Sequence, residues 1–295
     1  PGSSPSHFVD AGGTLFFTAD DGVHGDELWK SDGTAAGTAL VKDVGSSDSY
    51  YSEASRLTAV GDTVFFTADD GRHGNELWKS DGTAAGTVLV RDIDPDDDYY
   101  AGPASLTAVG DTLFFTADDG VHGRELWKSD GTKSGTVLVK DVRAGVYGIG
   151  YTQLTAVGDS VFFAARDGVH GRELWTSDGT PAGTRLVANI NPGTRDADPS
   201  SLTDVDGTLF FAADDGVHGS ELWKSDGTEA GTVLVREIDP GDGGEDDYYS
   251  GPSTMAAAGD TLFFTIDDGV HGRELWRSDG TEAGTTLEKD SGPGG

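Results

Sequence analysis

The stretch "DDGVHGRELWKSDGT", Asp118–Thr132, decides the fold. It puts two adjacent aspartates, a histidine, a glutamate and a tryptophan into one short segment, a mix that fits either a metal or acid/base site or a tight hairpin with good turn chemistry. The segment is not unique. The pattern D-G-x-H-G-x-E-L-W-x-S-D-G-T-x-x-G-T is intact in six copies, whose tryptophans are Trp29, Trp78, Trp127, Trp175, Trp223 and Trp276, spaced by 49, 49, 48, 48 and 53 residues. A period of ~40 to 50 residues holding four short strands is the sequence signature of a β-propeller blade. The predicted fold is therefore all-β, a six-bladed β-propeller with four antiparallel strands per blade.

The third repeat shows how the strands are placed. Leu106 to Val109 reads as a first strand, and Gly110-Asp111 as a hairpin turn. Thr112 to Ala117 reads as the second strand, Asp118 to Arg124 as a longer turn, and Glu125 to Ser129 as the third strand. Asp130-Gly131 opens the next turn, and Thr136 to Val142 reads as the fourth strand. The second and fourth strands are apolar on both faces, as a sheet sandwiched between two neighbours requires. The expected repeats run 8–54, 55–103, 104–151, 152–199, 200–252 and 253–290, with tails at 1–7 and 291–295. Phe8 to Ala11 either opens the first blade or, with the strand phase shifted by one, completes the last.

Composition excludes several classes of function. Twenty Lys+Arg stand against 52 Asp+Glu, for a net charge of −32. Such a field repels nucleic acid and anionic lipid and attracts cations. High-salt solvation, Ca²⁺ binding and a merely acidic secreted surface all account for it. Cysteine is absent, so there is no disulfide and no thiolate metal site. No apolar run approaches the ~18 residues of a membrane span. The chain opens at Pro1 with no signal peptide, which reads as a mature chain or an excised domain.

"ELWKSDGTAAGT" preceded by "FFTADDGVHG" resembles the ELWxSDGTxxGT repeats of predicted secreted bacterial and archaeal proteins, over about residues 8 to 290. The resemblance implies a propeller and an extracellular or cell-surface setting, and it carries over no catalytic residue. A weaker likeness is to the Asp-box of sialidase propellers, S-x-D-x-G-x-T-W. Here Ser129, Asp130 and Gly131 are adjacent and the tryptophan precedes them, which argues against sialidase function.

Within the repeated turn, Asp118, Asp119 and Glu125 are candidate oxygen ligands for an ion held inside one blade. The fourth copy has Arg166 at the first of these positions, which weakens that reading. The competing reading is structural: aspartates closing the turn, His122 bridging the hairpin arms, Glu125 half-buried beside a partner, and Trp127 packed between blades. The same reading makes all six tryptophans structural.

A propeller enzyme gathers unlike residues at its channel, whereas the reactive types here recur six times in equivalent places, so no enzyme is expected. The innermost strands carry Leu, Thr, Ala and Val, with Asp10 and Asp204 as exceptions.

Repeat symmetry breaks in the crossovers between blades. Tyr50 and Tyr51, Tyr99 and Tyr100, Tyr147 and Tyr151, and Tyr248 and Tyr249 are candidate interaction residues. Beside them Asp94, Asp96, Asp97, Asp98, Asp242, Glu245, Asp246 and Asp247 are candidate Ca²⁺ ligands. The expected function is a non-enzymatic extracellular structural or interaction propeller that self-assembles, through its tails and propeller faces, into a homo-oligomer or polymer. The alternative is a Ca²⁺-dependent module binding carbohydrate or another ligand; an enzyme with a site at the central channel ranks behind both.

Overall fold

The computed structural model describes residues 2–45, 54–95, 101–239 and 251–292. Every element among them is a β-strand. Sheet 1 is β1 (Ser6–Ala11), β2 (Thr14–Asp20), β3 (Asp26–Ser31) and β4 (Ala39–Lys42). Sheet 2 is β5 (Ser55–Val60), β6 (Thr63–Asp69), β7 (Asn75–Ser80) and β8 (Val88–Arg91). Sheet 3 is β9 (Ala104–Val109), β10 (Thr112–Asp118), β11 (Arg124–Ser129) and β12 (Val137–Lys140). Sheet 4 is β13 (Thr155–Val157), β14 (Ser160–Ala165), β15 (Glu173–Ser177) and β16 (Arg185–Ala188). Sheet 5 is β17 (Ser200–Val205), β18 (Thr208–Asp214), β19 (Ser220–Ser225) and β20 (Val233–Arg236). Sheet 6 is β21 (Ser253–Ala258), β22 (Thr261–Asp267), β23 (Arg273–Ser278) and β24 (Thr286–Lys289).

Each sheet is built from four consecutive strands paired antiparallel in chain order. Residues 8 to 11 therefore lie in the first sheet, on a strand that starts at Ser6 and pairs with β2, and the shifted strand phase is set aside. The fourth strand is shorter than the pattern suggests. In the third repeat it ends at Lys140, because the backbone beyond it turns to donate to a buried glutamate instead of continuing the ladder.

The chain divides into two compact units, Pro1–Leu154 and Thr155–Gly295, with three sheets each. Within a unit, the first strands of successive sheets lie side by side, β1 with β5 and β5 with β9 in one, β13 with β17 and β17 with β21 in the other.

The core sits between sheets. In "TLFFTAD" the two faces alternate, so Phe16 with Leu28 and Val41 form one face of sheet 1, which packs on Val64, Phe66, Ala68 and Trp78 of sheet 2. The same pairing recurs with Phe65, Leu77 and Val90 against Leu113, Phe115, Ala117 and Trp127. It recurs again with Phe210, Leu222 and Val235 against Leu262, Phe264, Ile266 and Trp276. We call the Phe16–Leu28–Val41 side the leading face and the Val64–Phe66–Trp78 side the trailing face.

Cations reinforce these contacts. Lys42 Nζ donates to the Thr87 carbonyl at 2.8 Å and lies 5.6 Å from the centre of the Trp78 ring. Lys30 Nζ donates to the Gly82 carbonyl at 2.7 Å. Lys224 Nζ does the same to Gly280.

Candidate functional site

The repeated turn is built by its own side chains. In the third repeat Asp118 Oδ1 accepts the Gly120 N–H, and Asp119 Oδ1 accepts those of Val121 and His122 at 3.0 and 2.9 Å. His122 Nδ1 donates to Asp119 Oδ2 at 2.8 Å. The histidine thus folds back onto the aspartate three residues earlier and does not bridge the hairpin arms. The same pair occurs as His24–Asp21, His73–Asp70, His170–Asp167, His218–Asp215 and His271–Asp268. The hydrogen bond it donates to Asp119 raises the His122 pKa. For Asp119, burial pushes the carboxyl up, but the bonds from His122 outweigh it and the net shift is downward. In the fourth repeat Arg166 replaces the first aspartate and pairs with Asp196. Asp196 also accepts the Arg172 N–H at 2.7 Å, so that crossover is tied to its turn by a different device.

The glutamate of the tryptophan strand is more deeply buried than the half-burial read from the sequence, because it clasps the loop beyond the fourth strand. Glu76 Oε1 accepts the N–H groups of Ile93 and Asp94, both at 2.8 Å. Glu221 Oε1 accepts those of Ile238 and Asp239. Glu27, Glu125 and Glu173 do the same for their own loops. Desolvation pushes the carboxyls of Glu27, Glu76, Glu125 and Glu173 up to about 7 and that of Glu221 to about 8, against the pull of the donated N–H groups. In the last repeat, Ser291 Oγ donates to Glu274 at 2.6 Å and holds its pKa down.

The S-D-G-T-x-x-G-T segment is a second closed network. Asp130 Oδ1 accepts from the N–H and Oγ1–H of Thr132, Thr132 Oγ1 accepts the Gly135 N–H, and Ser129 Oγ meets Thr136 Oγ1 at 2.7 Å. Gly131, at φ +82°, lies where an added Cβ would meet the Phe65 ring of the preceding sheet at 3.2 Å. The repeated glycine thus serves both the turn and the approach of neighbouring sheets. Asp10 and Asp204, the exceptions on the innermost strands, accept the N–H of Gly13 and Gly207 and cap their hairpins.

All six tryptophans are at least half-buried. The Trp127 ring stacks on Phe115 at 6.5 Å with Arg91 5.5 Å from its centre, and Trp29 Nε1 donates to the Ala19 carbonyl. They are packing residues. Among the described residues, no three His, Asp or Glu side chains come together as a metal-ligating group.

Of the candidate tyrosines, Tyr147 and Tyr151 are described. Tyr50, Tyr51, Tyr99, Tyr100, Tyr248 and Tyr249 lie outside the described residues. So do Asp96, Asp97, Asp98, Asp242, Glu245, Asp246 and Asp247 of the candidate Ca²⁺ ligands. Asp94 is buried, and its N–H goes to Glu76.

The loop carrying Tyr147 and Tyr151 is anchored from below. Ile149 is buried and its N–H donates to the Arg124 carbonyl at 2.8 Å. Gly148 sits so close to the Arg124 backbone that a side chain there would collide with it. Above this anchor Val146, Tyr147 (73% exposed) and Tyr151 (65% exposed) face solvent. Arg143 lies over the Tyr147 ring at 5.0 Å and Arg124 over the Tyr151 ring at 4.8 Å. Sequence reading picked the tyrosines but missed both arginines, since one belongs to the strand repeat and pairs across 27 residues.

No family model and no curated protein sequence matches the chain. Solved structures do. The chain is similar to the β-propeller domain of the Trilobed protease from Pyrococcus furiosus, described as having an open velcro topology. That match has TM-score 0.53 and 10% identity, and it covers 97% of this chain and 85% of that one. The fold is a six-bladed β-propeller. A puromycin-hydrolyzing peptidase of Mycobacterium tuberculosis is similar at TM-score 0.53 and 12% identity, over 98% of this chain. The chain spans 44% of that protein's length. At these identities the likeness concerns the blades alone.

Proposed function

We propose that the chain is a non-enzymatic, extracellular interaction propeller whose blades are scaffold and whose contacts are made by the crossover loops. One observation carries this reading. The side chains with reactive chemistry in the repeats are consumed in the same internal hydrogen bonds, while the loop at 143–151 holds two exposed tyrosines, each against an arginine, on a buried anchor. Flat aromatic surfaces on a prearranged backbone suit the apolar face of a sugar ring or a protein partner. The strongly negative charge favours a neutral or cationic partner over an anionic one. The extracellular assignment rests on the ELWxSDGTxxGT resemblance.

The test uses neutral polysaccharides as probes, with binding read by calorimetry and the footprint by hydrogen exchange. The paired substitution Tyr147→Ser and Tyr151→Ser is expected to abolish binding and lower the melting temperature only slightly, since both rings are largely exposed and each packs on a single arginine. Undiminished binding by that variant, or turnover of a peptide or glycoside substrate by the parent, would overturn the reading.

A further inference from the structure

Arg124 opens β11 at a place that sheets 1, 2 and 5 fill with Asp26, Asn75 and Ser220. It is a buried cation, 7% exposed, and its contacts are shared among several segments. Nη1 donates to the Thr116 carbonyl of β10 at 3.0 Å, and Nη2 to the Gly102 carbonyl of the incoming crossover at 2.9 Å. The Tyr151 ring of the outgoing crossover lies on the guanidinium at 4.8 Å. The Arg124 main-chain carbonyl accepts the Ile149 N–H of that same crossover, and Gly148 lies directly against the Arg124 backbone. One residue thus touches both the crossover that enters sheet 3 and the crossover that leaves it.

Sheet 3 is adapted to this residue. In sheets 1, 2 and 6, Ser6, Ser55 and Ser253 meet Thr18, Thr67 and Thr265 of the second strand at 2.8, 2.9 and 3.2 Å. The register puts Ala104 opposite Thr116 in sheet 3, and Thr116 Oγ1 accepts from Arg124 Nη1 at 3.3 Å. Sheet 6 supplies a control. Arg273, at the place of Arg124, donates to the Thr265 carbonyl and to the Gly251 carbonyl of its own incoming crossover, both at 3.1 Å. Arg273 is exposed, whereas Arg124 is covered. The incoming crossover and the second strand therefore set the guanidinium whether or not a tyrosine rests on it. In sheet 3 the ring is laid on a platform already fixed, and a planar guanidinium with its donors held in a fork is suited to stacking there. Ser105 Oγ and Thr107 Oγ1 secure the outgoing crossover to the same sheet, donating to the Thr152 and Leu154 carbonyls at 2.6 and 3.2 Å.

We infer that Arg124 is the positioning residue of the tyrosine loop and couples that loop to the crossover at 101–103, so that a partner held on Tyr151 is felt by both. The tyrosine contacts the partner, and Arg124 acts through it. This deepens the reading proposed above and rests on it for its use; every residue involved lies in the first compact unit.

Native-state hydrogen exchange of the 295-residue chain tests the coupling without a ligand. The Asp118 N–H donates to the Ala101 carbonyl and the Ile149 N–H to the Arg124 carbonyl, so these two amides report on the incoming and outgoing crossovers. Arg124→Met keeps an unbranched stem and removes the donors, and should speed exchange at both amides by about tenfold. The Asp214 N–H, bonded to the Ala197 carbonyl in the second unit, should be unchanged. Arg124→Lys is the variant to read should methionine not fold; it keeps the charge without the fork and should retain part of the protection at both amides. Nitration of Tyr151, read by mass spectrometry against Tyr147, should rise in the methionine variant. With neutral polysaccharide as the probe, the parent should gain protection at Asp118 as well as at Ile149. Arg124→Met should gain it at Ile149 alone, with roughly tenfold weaker affinity. Faster exchange at Ile149 without Asp118 would overturn the coupling, and equally faster exchange at Asp214 would reduce Arg124 to a general stabiliser of the fold. A parent that binds no polysaccharide would sink the proposed function, while the exchange comparison still decides the role of Arg124.

Discussion

An alanine at Gly135 would put its Cβ inside the Asp130 carboxylate. The same conflict exists for Gly37 with Asp32, Gly86 with Asp81, Gly183 with Asp178, Gly231 with Asp226 and Gly284 with Asp279, which is why the second glycine of S-D-G-T-x-x-G-T is repeated. Gly135→Ala should therefore break the Asp130–Thr132 network and cost about 1–3 kcal/mol, seen as a lower denaturation midpoint with unchanged slope. A variant as stable as the parent would show that the turn relaxes freely. The buried glutamates give a pH dependence of definite sign. Glu27, Glu76, Glu125 and Glu173 have carboxyls raised from 4.5 to about 7, and Glu221 to about 8. A carboxyl raised on folding stabilises the native state fully below its unfolded pKa and loses that contribution as pH rises through its folded value. The raised histidines His24, His122, His218 and His271 act in the same direction. The melting temperature should accordingly fall between about pH 5 and pH 8.5, and Glu125→Gln, uncharged at every pH, should flatten the profile. A profile that rises across that window would mean the glutamates are held charged by something other than backbone N–H groups.

At the scale of the element, the first strands carry a feature that residue patterning could not reveal. His7, Arg56, Ser105, Ser201 and Thr254 occupy equivalent places on β1, β5, β9, β17 and β21, and all have φ between 49 and 55°. Each sits at a register shift, where an extra residue bulges out of the pairing with the second strand. No glycine marks these bulges, so the usual signal for positive φ is missing from the sequence. The conformation costs an L-residue on the order of 1 kcal/mol. Ser201→Gly should relieve it and raise the melting temperature by roughly 2 °C, with the glycine's greater unfolded-state entropy offsetting part of the gain. A lower melting temperature would mean that the Ser201 side chain does more than occupy the bulge. The hairpins themselves were legible. Gly110-Asp111 and its equivalents join the first two strands as read, and the tryptophan strands start and stop within a residue of the expected places. The fourth strand was read too long because "TVLVKDV" ends on another apolar residue, Val142, while Glu125, 15 residues before Lys140, draws the last part of it out of the ladder.

For the whole molecule, the repeat period alone carried the fold class, since six copies of one pattern leave little choice of architecture. Function was less legible for the same reason. A repeated residue reports on packing, so the information about contacts is confined to the few positions that differ between copies, such as Tyr147, Arg166, Arg277 and Glu288. The Arg143–Tyr147 and Arg124–Tyr151 pairs depend on loop path, which no periodicity specifies. Charge is the remaining global property. With 52 acidic residues against 20 basic ones, self-repulsion opposes the compact state. Salt shortens the screening length from about 10 Å at 0.1 M to about 3 Å at 1 M, so sodium chloride should raise the melting temperature steadily over this range. Calcium chloride at matched ionic strength separates screening from binding, because an ion held only by the native state adds a further stabilisation that grows with the logarithm of its concentration. The acids of the repeated turns and the buried glutamates are already committed to backbone donors and histidines, so they should respond to screening alone. The crossover acids at 96–98 and 242–247 are the candidates for an excess in calcium, and Asp96→Asn with Asp97→Asn should then reduce it. Melting temperatures that stay flat in sodium chloride would instead show that the net charge of −32 is no burden on this fold.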